Sequence, residues 1–394
     1  MKKPRQTLAD RVSHLQPEGA YEVLARAQQL EASGREIIHL EIGQPDFQTF
    51  PNVALAGIRA ITAGETRYTP SAGIPALKKA IAEYTSARVG LDFSPAQVVV
   101  GPGAKPLLFF PMMALLEPGD EVIYPDPGFP SYRAIIETMG ATPVPIPLKE
   151  ENDFSFDMGE FCRKINGRTR LIIINPPSNP TGGIIPAEDL RVIAEKACEY
   201  DCWVLSDDIY TRLVYTRDPI KNIATFPGMP ERTIIMDGFS KTYAMTGWRL
   251  GYALMPEALA DKVGLLITHS VGCTAAFTQV AGIEALKGDQ GQVEAVRRTF
   301  ESRRQAIVKG LNEIPGITCR SPQGAFYVFP NIRSFKRSSR EMANYLLQEA
   351  GVALLPGTSF GDFGEGYLRL TFTHSVKAIE KALDLMKEAL SRLA

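Results

Sequence analysis

The chain has 394 residues, which at roughly 150 residues per domain suggests two to three domains. Its 43 Lys and Arg are matched by 44 Asp and Glu, a formal net charge of −1, so nothing electrostatic argues for a nucleic-acid partner. Hydrophobic residues at 45% and charged residues at 22% suit a soluble globular chain whose core needs no disulfide or metal staple.

The basic start, MKKPRQTLADRV, has no apolar segment behind it and does not read as a secretory signal. Apolar residues at helical spacing predict a helix over 20–33, stopped by Gly34. IIHLEIGQPDF (37–47) reads as a short strand entering a Gly/Pro turn. From residue 97 strands and helices alternate. Strands are expected at 97–100, 121–124, 171–175, 203–207, 233–238 and 250–254, with helices over 105–116, 132–139 and 187–200. Short β-branched runs between amphipathic helices argue for a mostly parallel sheet covered on both faces. The longest apolar stretch, 106–116, is too short to span a bilayer and holds Pro106 and Pro111. After about 290 a charged helix over 292–314 leads to expected strands in GITCR and AFYVF, then to further helices. This reads as a smaller α+β domain. The expected division is an arm (1–45) joining the small domain, a large domain (46–290) and a small domain (291–394).

Cys162, Cys198, Cys202, Cys273 and Cys319 show no paired framework, and no second pair completes a zinc set with Cys198 and Cys202. They read as reduced, mostly structural thiols in a cytoplasmic protein. His14, His39, His269 and His374 have no metal-ligand spacing, and His39 reads as a strand residue. No metal is expected.

In open α/β sheets, ligands bind beyond the carboxyl ends of the strands. The segments just past the expected strands are GPGAK (101–105), PDPGFPSY (125–132), NPPSNPTG (175–182), SDDIY (206–210) and GFSKTYAMTGWRLGY (238–252). They offer Gly-rich turns, an aromatic, an Asn, an Asp, a Tyr, a Lys and an Arg. Such a set suits a phosphorylated, planar, cationic-ring cofactor. GPGAK is not a dinucleotide fingerprint, because Pro106 takes the third Gly position and no acidic ribose partner is evident.

The combination NPPSNPTG, SDDIY, SKTYAMTGWRLGY and YLRLTFTHS (367–375) resembles the class I/II pyridoxal-phosphate aminotransferases of fold-type I, over residues 15–389. The resemblance implies an α/β fold with a mostly parallel seven-stranded sheet, pyridoxal 5′-phosphate as cofactor, and a homodimer with shared active sites. It makes Lys241 the lysine that joins the cofactor as an imine, which needs a neutral amine. Freed by substrate, Lys241 is then the base for the proton shift between substrate Cα and cofactor. Asp207 pairs with the ring nitrogen, chosen over Asp208 by its spacing to Tyr210. Tyr210 and Asn179 donate to the phenolic oxygen, and Asn179–Pro180 is a candidate cis peptide. Gly103, with the N–H groups of Ala104 and Lys105, receives the phosphate together with Arg249. Relatives often have Ser where this chain has Gly238, so one phosphate hydrogen bond is expected either to be missing or to be replaced by Ser240 or Thr242. Phe129 stacks on the ring, and Tyr68 reaches the phosphate across the dimer interface. Arg369 forks the substrate carboxylate, and Gly43 lets the arm approach the substrate.

The implied reaction moves the amino group of an L-amino acid to a 2-oxo acid, with 2-oxoglutarate the expected acceptor. A β-lyase or synthase on the same fold is the main rival. A transcription regulator would need a DNA-binding domain, for which there is no room before Leu15. For the donor, Lys105 matches a position where some relatives hold the distal carboxylate of aspartate. In the arm segment QPEGAY (16–21), Glu18 and Ala20 replace small hydroxyl residues of those relatives. Glu18 either repels a dicarboxylate, pairs with Lys105 and favours neutral or aromatic donors, or faces solvent. Aspartate-type specificity is placed slightly ahead.

Overall fold

The computed structural model describes residues 8–13, 15, 17–217 and 219–393. Residues 1–7 of the basic start, His14 and Gln16 lie outside the described residues. A seven-stranded sheet forms the centre of the α/β fold. Its strands are β2 (Val98–Gly101), β3 (Glu121–Asp126), β4 (Thr142–Pro147), β5 (Thr169–Ile174), β6 (Trp203–Asp207), β7 (Thr233–Gly238) and β8 (Gly251–Leu254), in the order β2-β8-β7-β6-β5-β3-β4. The β3/β4, β3/β5, β5/β6 and β6/β7 pairs are parallel, and β8 runs antiparallel to both neighbours. Leu171 to Ile174 are fully buried, as a strand covered on both faces requires.

Strand β4 is absent from the sequence reading, for a physical reason. Its sequence TPVPIP carries proline at every second position, which argues against a strand. The strand sits at the sheet edge, paired only with β3. Alternate residues there need no ladder donor, so Pro143, Pro145 and Pro147 are tolerated.

The remaining strands are short. β1 (Ile38–His39) lies parallel to β10 (Val352–Ala353). β9 (Tyr327–Val328), β11 (Leu355–Pro356) and β12 (Leu368–Thr371) form an antiparallel sheet with β12 central. The strand expected at GITCR is not formed; Thr318 makes one isolated bridge to Asn331. AFYVF is extended only at Tyr327 and Val328. The expected helices appear as Gly19–Ala32, Pro106–Leu115, Ser131–Thr138, Ala187–Glu199 and Gly291–Asn312. A continuous apolar core runs from Leu40, Phe50 and Leu77 to Phe300, Phe326 and Leu370. Phe47 meets Phe300 edge-on at 5.4 Å, and Arg303 forks Asp46 at 2.7 and 2.9 Å. Both contacts fix the chain after β1 against the long helix Gly291–Asn312. No helix among the described residues is long and apolar enough to cross a membrane.

Candidate active site

The strand directions bring the ends of β2, β3, β5, β6 and β7, and the start of β8, to one edge of the sheet. There Gly101, Gly251 and Gly238 stand side by side across three strands. A Cβ on Gly251 would lie 2.6 Å from the backbone of Gly103 and Ala104, so only glycine lets the 101–105 turn fold across the sheet end. Gly103 has φ +91°, and a side chain there would collide with the Arg249 guanidinium. Arg249 Nη1 donates to Thr246 O at 2.9 Å, which fixes its approach. The glycine at 238 also has a cause. A Cβ there would stand 3.1 Å from Ile209 Cδ1 and 3.3 Å from Leu250 O, too close without a shift.

Beyond this edge lies a cavity of about 580 Å³. It is lined by Gly43, Ala104, Lys105, Phe129, Asn179, Asp207, Tyr210, Ser240, Lys241, Arg249 and Arg369. Gly103 backs it through Arg249. Tyr68 does not reach it and is 98% exposed. Asp208 points to the opposite face of the sheet, where it accepts from Arg88 at 3.0 Å.

Lys241 sits in the one-turn helix Phe239–Thr242, which follows β7 directly. Its Nζ donates to Gly43 O at 2.5 Å. Burial, then Arg369, Arg249 and Lys105, push its pKa down to about 8, against the pull of Asp207. Asp207 ends β6, and burial pushes its pKa up to about 7. The Tyr132 hydroxyl, donating to Oδ2 at 2.6 Å, and the Ile209 N–H oppose that rise, while Asp208 and Asp237 add to it. Tyr210 shares a 2.7 Å hydrogen bond with Tyr327, and burial keeps its hydroxyl protonated. The Asn179–Pro180 peptide is cis. Asn179 N donates to Asn175 Oδ1 at 3.0 Å, and Asn179 Oδ1 is buried with no hydrogen-bond partner. Arg369, on β12, donates to Glu41 O and stands over the Tyr327 ring at 4.6 Å. Burial lowers its pKa from the ordinary arginine value.

Three residues of this arrangement are missing from the sequence reading. Tyr132 braces Asp207. It follows Phe129 by three positions, and the two rings meet edge-on at 5.6 Å. Asn175 braces both Asn179 and the Asp207 carbonyl, the latter at 2.8 Å. It opens the NPPSNPTG run, so its place was visible there though its function was not. Tyr327 comes from a strand over a hundred residues from its partner Tyr210, and no sequence pattern joins them.

At the far side of the cavity Lys105 Nζ pairs with Glu18 Oε1. Glu18 precedes helix Gly19–Ala32 without capping it through its side chain. The same carboxylate accepts from Ser131 Oγ at 3.3 Å. Of the alternatives open in the sequence, pairing is the one formed. Lys105 also lies 5.3 Å from the Phe129 ring centre.

A family model described as "Aminotransferase class I and II" matches residues 35–385. An aspartate aminotransferase of Pyrococcus horikoshii is 40% identical over 390 residues, 98% of each chain. An aromatic-amino-acid aminotransferase of Thermococcus litoralis is 38% identical, covering 97% of this chain and 98% of its own. The structure of a Thermus thermophilus aspartate aminotransferase with maleate superposes with TM-score 0.93 at 34% identity, over 99% of this chain and all of that one.

The amine of Lys241 should titrate near pH 8, well below the value of about 10.4 for exposed lysines. Reductive ¹³C-methylation followed by NMR titration of the assigned lysines measures this. A Lys241 midpoint above 10 would remove the electrostatic account of the cavity.

Proposed function

The chain belongs to the class I and II aminotransferase family and is a pyridoxal-phosphate-dependent transaminase; from that premise we propose that it moves the amino group of an aspartate-type L-amino acid to a 2-oxo acid, 2-oxoglutarate being the acceptor. One observation carries this reading. A half-buried amine with its pKa lowered to about 8, a buried carboxylate and a buried guanidinium line a single cavity as Lys241, Asp207 and Arg369.

The donor set fits the cofactor. Asn179 lines the cavity; its Oδ1 is a buried acceptor without a hydrogen-bond partner, and its Nδ2 is the atom that would donate. The Gly103 turn and Arg249 form a cradle that admits no side chain. When bound, pyridoxal phosphate supplies a sink for the electron pair left when the substrate Cα loses its proton. Arg249 and the N–H groups of Ala104 and Lys105 would hold the phosphate, with Ser240 adding its hydroxyl. Asp207 would hold the proton on the ring nitrogen, with its charge kept in place by Tyr132. Tyr210 and Asn179 would donate to the phenolic oxygen, and Phe129 would cover one ring face. Arg369 would fork the substrate carboxylate, with Asn179 and Gly43 beside it. Lys241 Nζ would hold the cofactor covalently and, once freed by substrate, would take the Cα proton and deliver it to the cofactor's C4′ carbon. An amine whose pKa lies near the working pH serves both roles.

We further propose a homodimer with composite sites. Ile58 and Ile61 are exposed and border a cleft of about 790 Å³ with Trp248, Phe277 and Arg249. That apolar surface adjoins the phosphate cradle, and Tyr68 is free to enter a partner's site. The five free cysteines support a cytoplasmic home, which cell fractionation checks.

The donor side chain would be read by Lys105, with Glu18 as competitor. The Glu18–Lys105 pair is the observation that favours a second reading, a neutral or aromatic donor, and similarity to an aromatic-amino-acid aminotransferase agrees with it.

Borohydride should fix labelled cofactor onto the Lys241 peptide, and donor consumption should depend on an added oxo acid. Label on another lysine would overturn the assignment, and turnover of cystathionine without any oxo acid would favour a lyase. Lys241→Ala should bind cofactor yet lose at least ~10³-fold in turnover. Sedimentation should show a dimer at nanomolar protein; a fully active monomer would end the shared-site proposal. Glu18→Ser should raise kcat/KM for aspartate by about fivefold, the scale of a half-exposed ion pair, and leave phenylalanine unchanged. No change with either donor would place Glu18 outside the substrate path.

A further inference from the structure

On the sheet face opposite the cavity, a buried guanidinium sits between two buried carboxylates. Arg88 lies in the last turn of helix Pro75–Val89. Its Nη1 donates to Asp208 Oδ2 at 3.0 Å and to Thr211 Oγ1 at 2.9 Å, and its Nη2 stands 3.7 Å from Asp237 Oδ2. Asp208 is 1% exposed and also accepts from Ser206 Oγ at 2.6 Å and Asn222 Nδ2 at 2.8 Å. Asp237 accepts from Gly238 N at 2.6 Å and Tyr252 OH at 3.2 Å.

The positions of these carboxylates along the chain matter. Asp208 directly follows Asp207 at the end of β6. Asp237 lies four residues before Lys241 on β7. Successive strand residues face opposite sides, so each acid stands directly behind a strand end that serves the cavity. The same Asp208 N–H donates to Met236 O at 2.7 Å, tying the two strand ends together.

We propose that Arg88 is a positioning residue for the cofactor site, the counter-charge that lets Asp208 and Asp237 brace the ends of β6 and β7 without loading the cavity with net negative charge. It acts through the two acids and touches neither cofactor nor substrate. The proposal rests on the reading of Asp207 and Lys241 as cofactor residues.

The electrostatics agree. Burial works against the charge of Arg88, yet Asp208 and Asp237 hold its pKa above the ordinary value. Burial raises Asp237 to about 7, and Arg88 is the leading group that lowers it. Both acids act on Asp207 itself, pushing it upward. The other titratable groups around this cluster are Tyr84 and Arg212 on the flanking segments, Tyr243 after the Lys241 turn, and Tyr252 on β8. From the cavity side Asp207 also faces Tyr132 and Tyr210, and Lys241 faces Arg369, Arg249 and Lys105.

The test is an absorbance-detected pH titration of the cofactor bound to Lys241, with retention of cofactor measured by dialysis. Arg88→Met removes the counter-charge, so the cavity should favour its protonated state and the midpoint should rise by about 0.5 or more in pH. Cofactor retention should fall about tenfold. Asp208→Asn removes one of the two acids and leaves Arg88 matched by Asp237 alone, so its midpoint should fall. The double variant, with both charges gone, should return toward the wild type, and Arg88→Lys should stay close to it. A purely mechanical role would give no shifts of opposite sign and no recovery in the double variant. If Arg88→Met does not fold, Asp208→Asn decides alone: a midpoint that stays or rises overturns the proposal. A wild-type protein with no titrating cofactor band would overturn the underlying site reading, whereas a normal wild-type titration with unmoved variants overturns only this proposal.

Discussion

The reversed strand β8 is the constraint on which the cavity depends. A uniformly parallel edge would place the start of that strand at the other end of the sheet, and Arg249 with it. Because β8 runs against β7 and β2, its first residue, Gly251, stands between Gly238 and Gly101. Three residues without Cβ atoms in one row let the 101–105 turn and the Lys241 turn approach the same point. Arg249 enters that point from the connection between them, in a left-handed backbone conformation with φ +54°. Conformational freedom is spent here for close approach, and the β-branched strands around it restore the packing.

That geometry then sets the electrostatics. A half-buried amine near three cations favours its neutral form, and a buried carboxyl near two acids favours its protonated form. Both tendencies work toward one midpoint, since Lys241 falls to about 8 and Asp207 rises to about 7. Hydroxyls and peptide groups supply the balance: Tyr132 and Ile209 N–H for Asp207, and the Gly43 carbonyl for Lys241. These partners are neutral, and the two donors favour the ionised form of Asp207 and so limit its rise. A cationic ring nitrogen placed on Asp207 would favour the ionised carboxylate.

The sheet and most of the cavity were legible in the sequence because local signals agree there. Apolar β-branched runs mark β5, β6 and β7, and the residues just past them carry Asn179, Asp207 and Lys241. Arg369 and Gly43 were legible only through resemblance, since nothing local links residue 43 to residue 369. What the sequence hid is of two kinds. Strand β4 was hidden by its prolines, which only an edge position excuses. Tyr327 and the Arg88 cluster were hidden because their partners lie 117 to 149 positions away, and charge or aromatic patterning carries no such range; the Glu18–Lys105 pair was legible only as one alternative among three.

The arm is where these long-range contacts converge. Glu41 O accepts from Arg369, and two residues later Gly43 O accepts from Lys241. A Cβ at Gly43 would collide with the Tyr327 hydroxyl, which is itself bonded to Tyr210. One short backbone segment therefore touches the amine, the guanidinium and the paired phenols of the cavity. On the proposed reading, a substrate carboxylate at Arg369 would compete with the Glu41 carbonyl for the same N–H groups. Charge favours the carboxylate, because a hydrogen bond between two ions is stronger than one to a neutral carbonyl. The segment that would give up that carbonyl is the one whose Gly43 carbonyl accepts from Lys241, so three arm residues span both contacts.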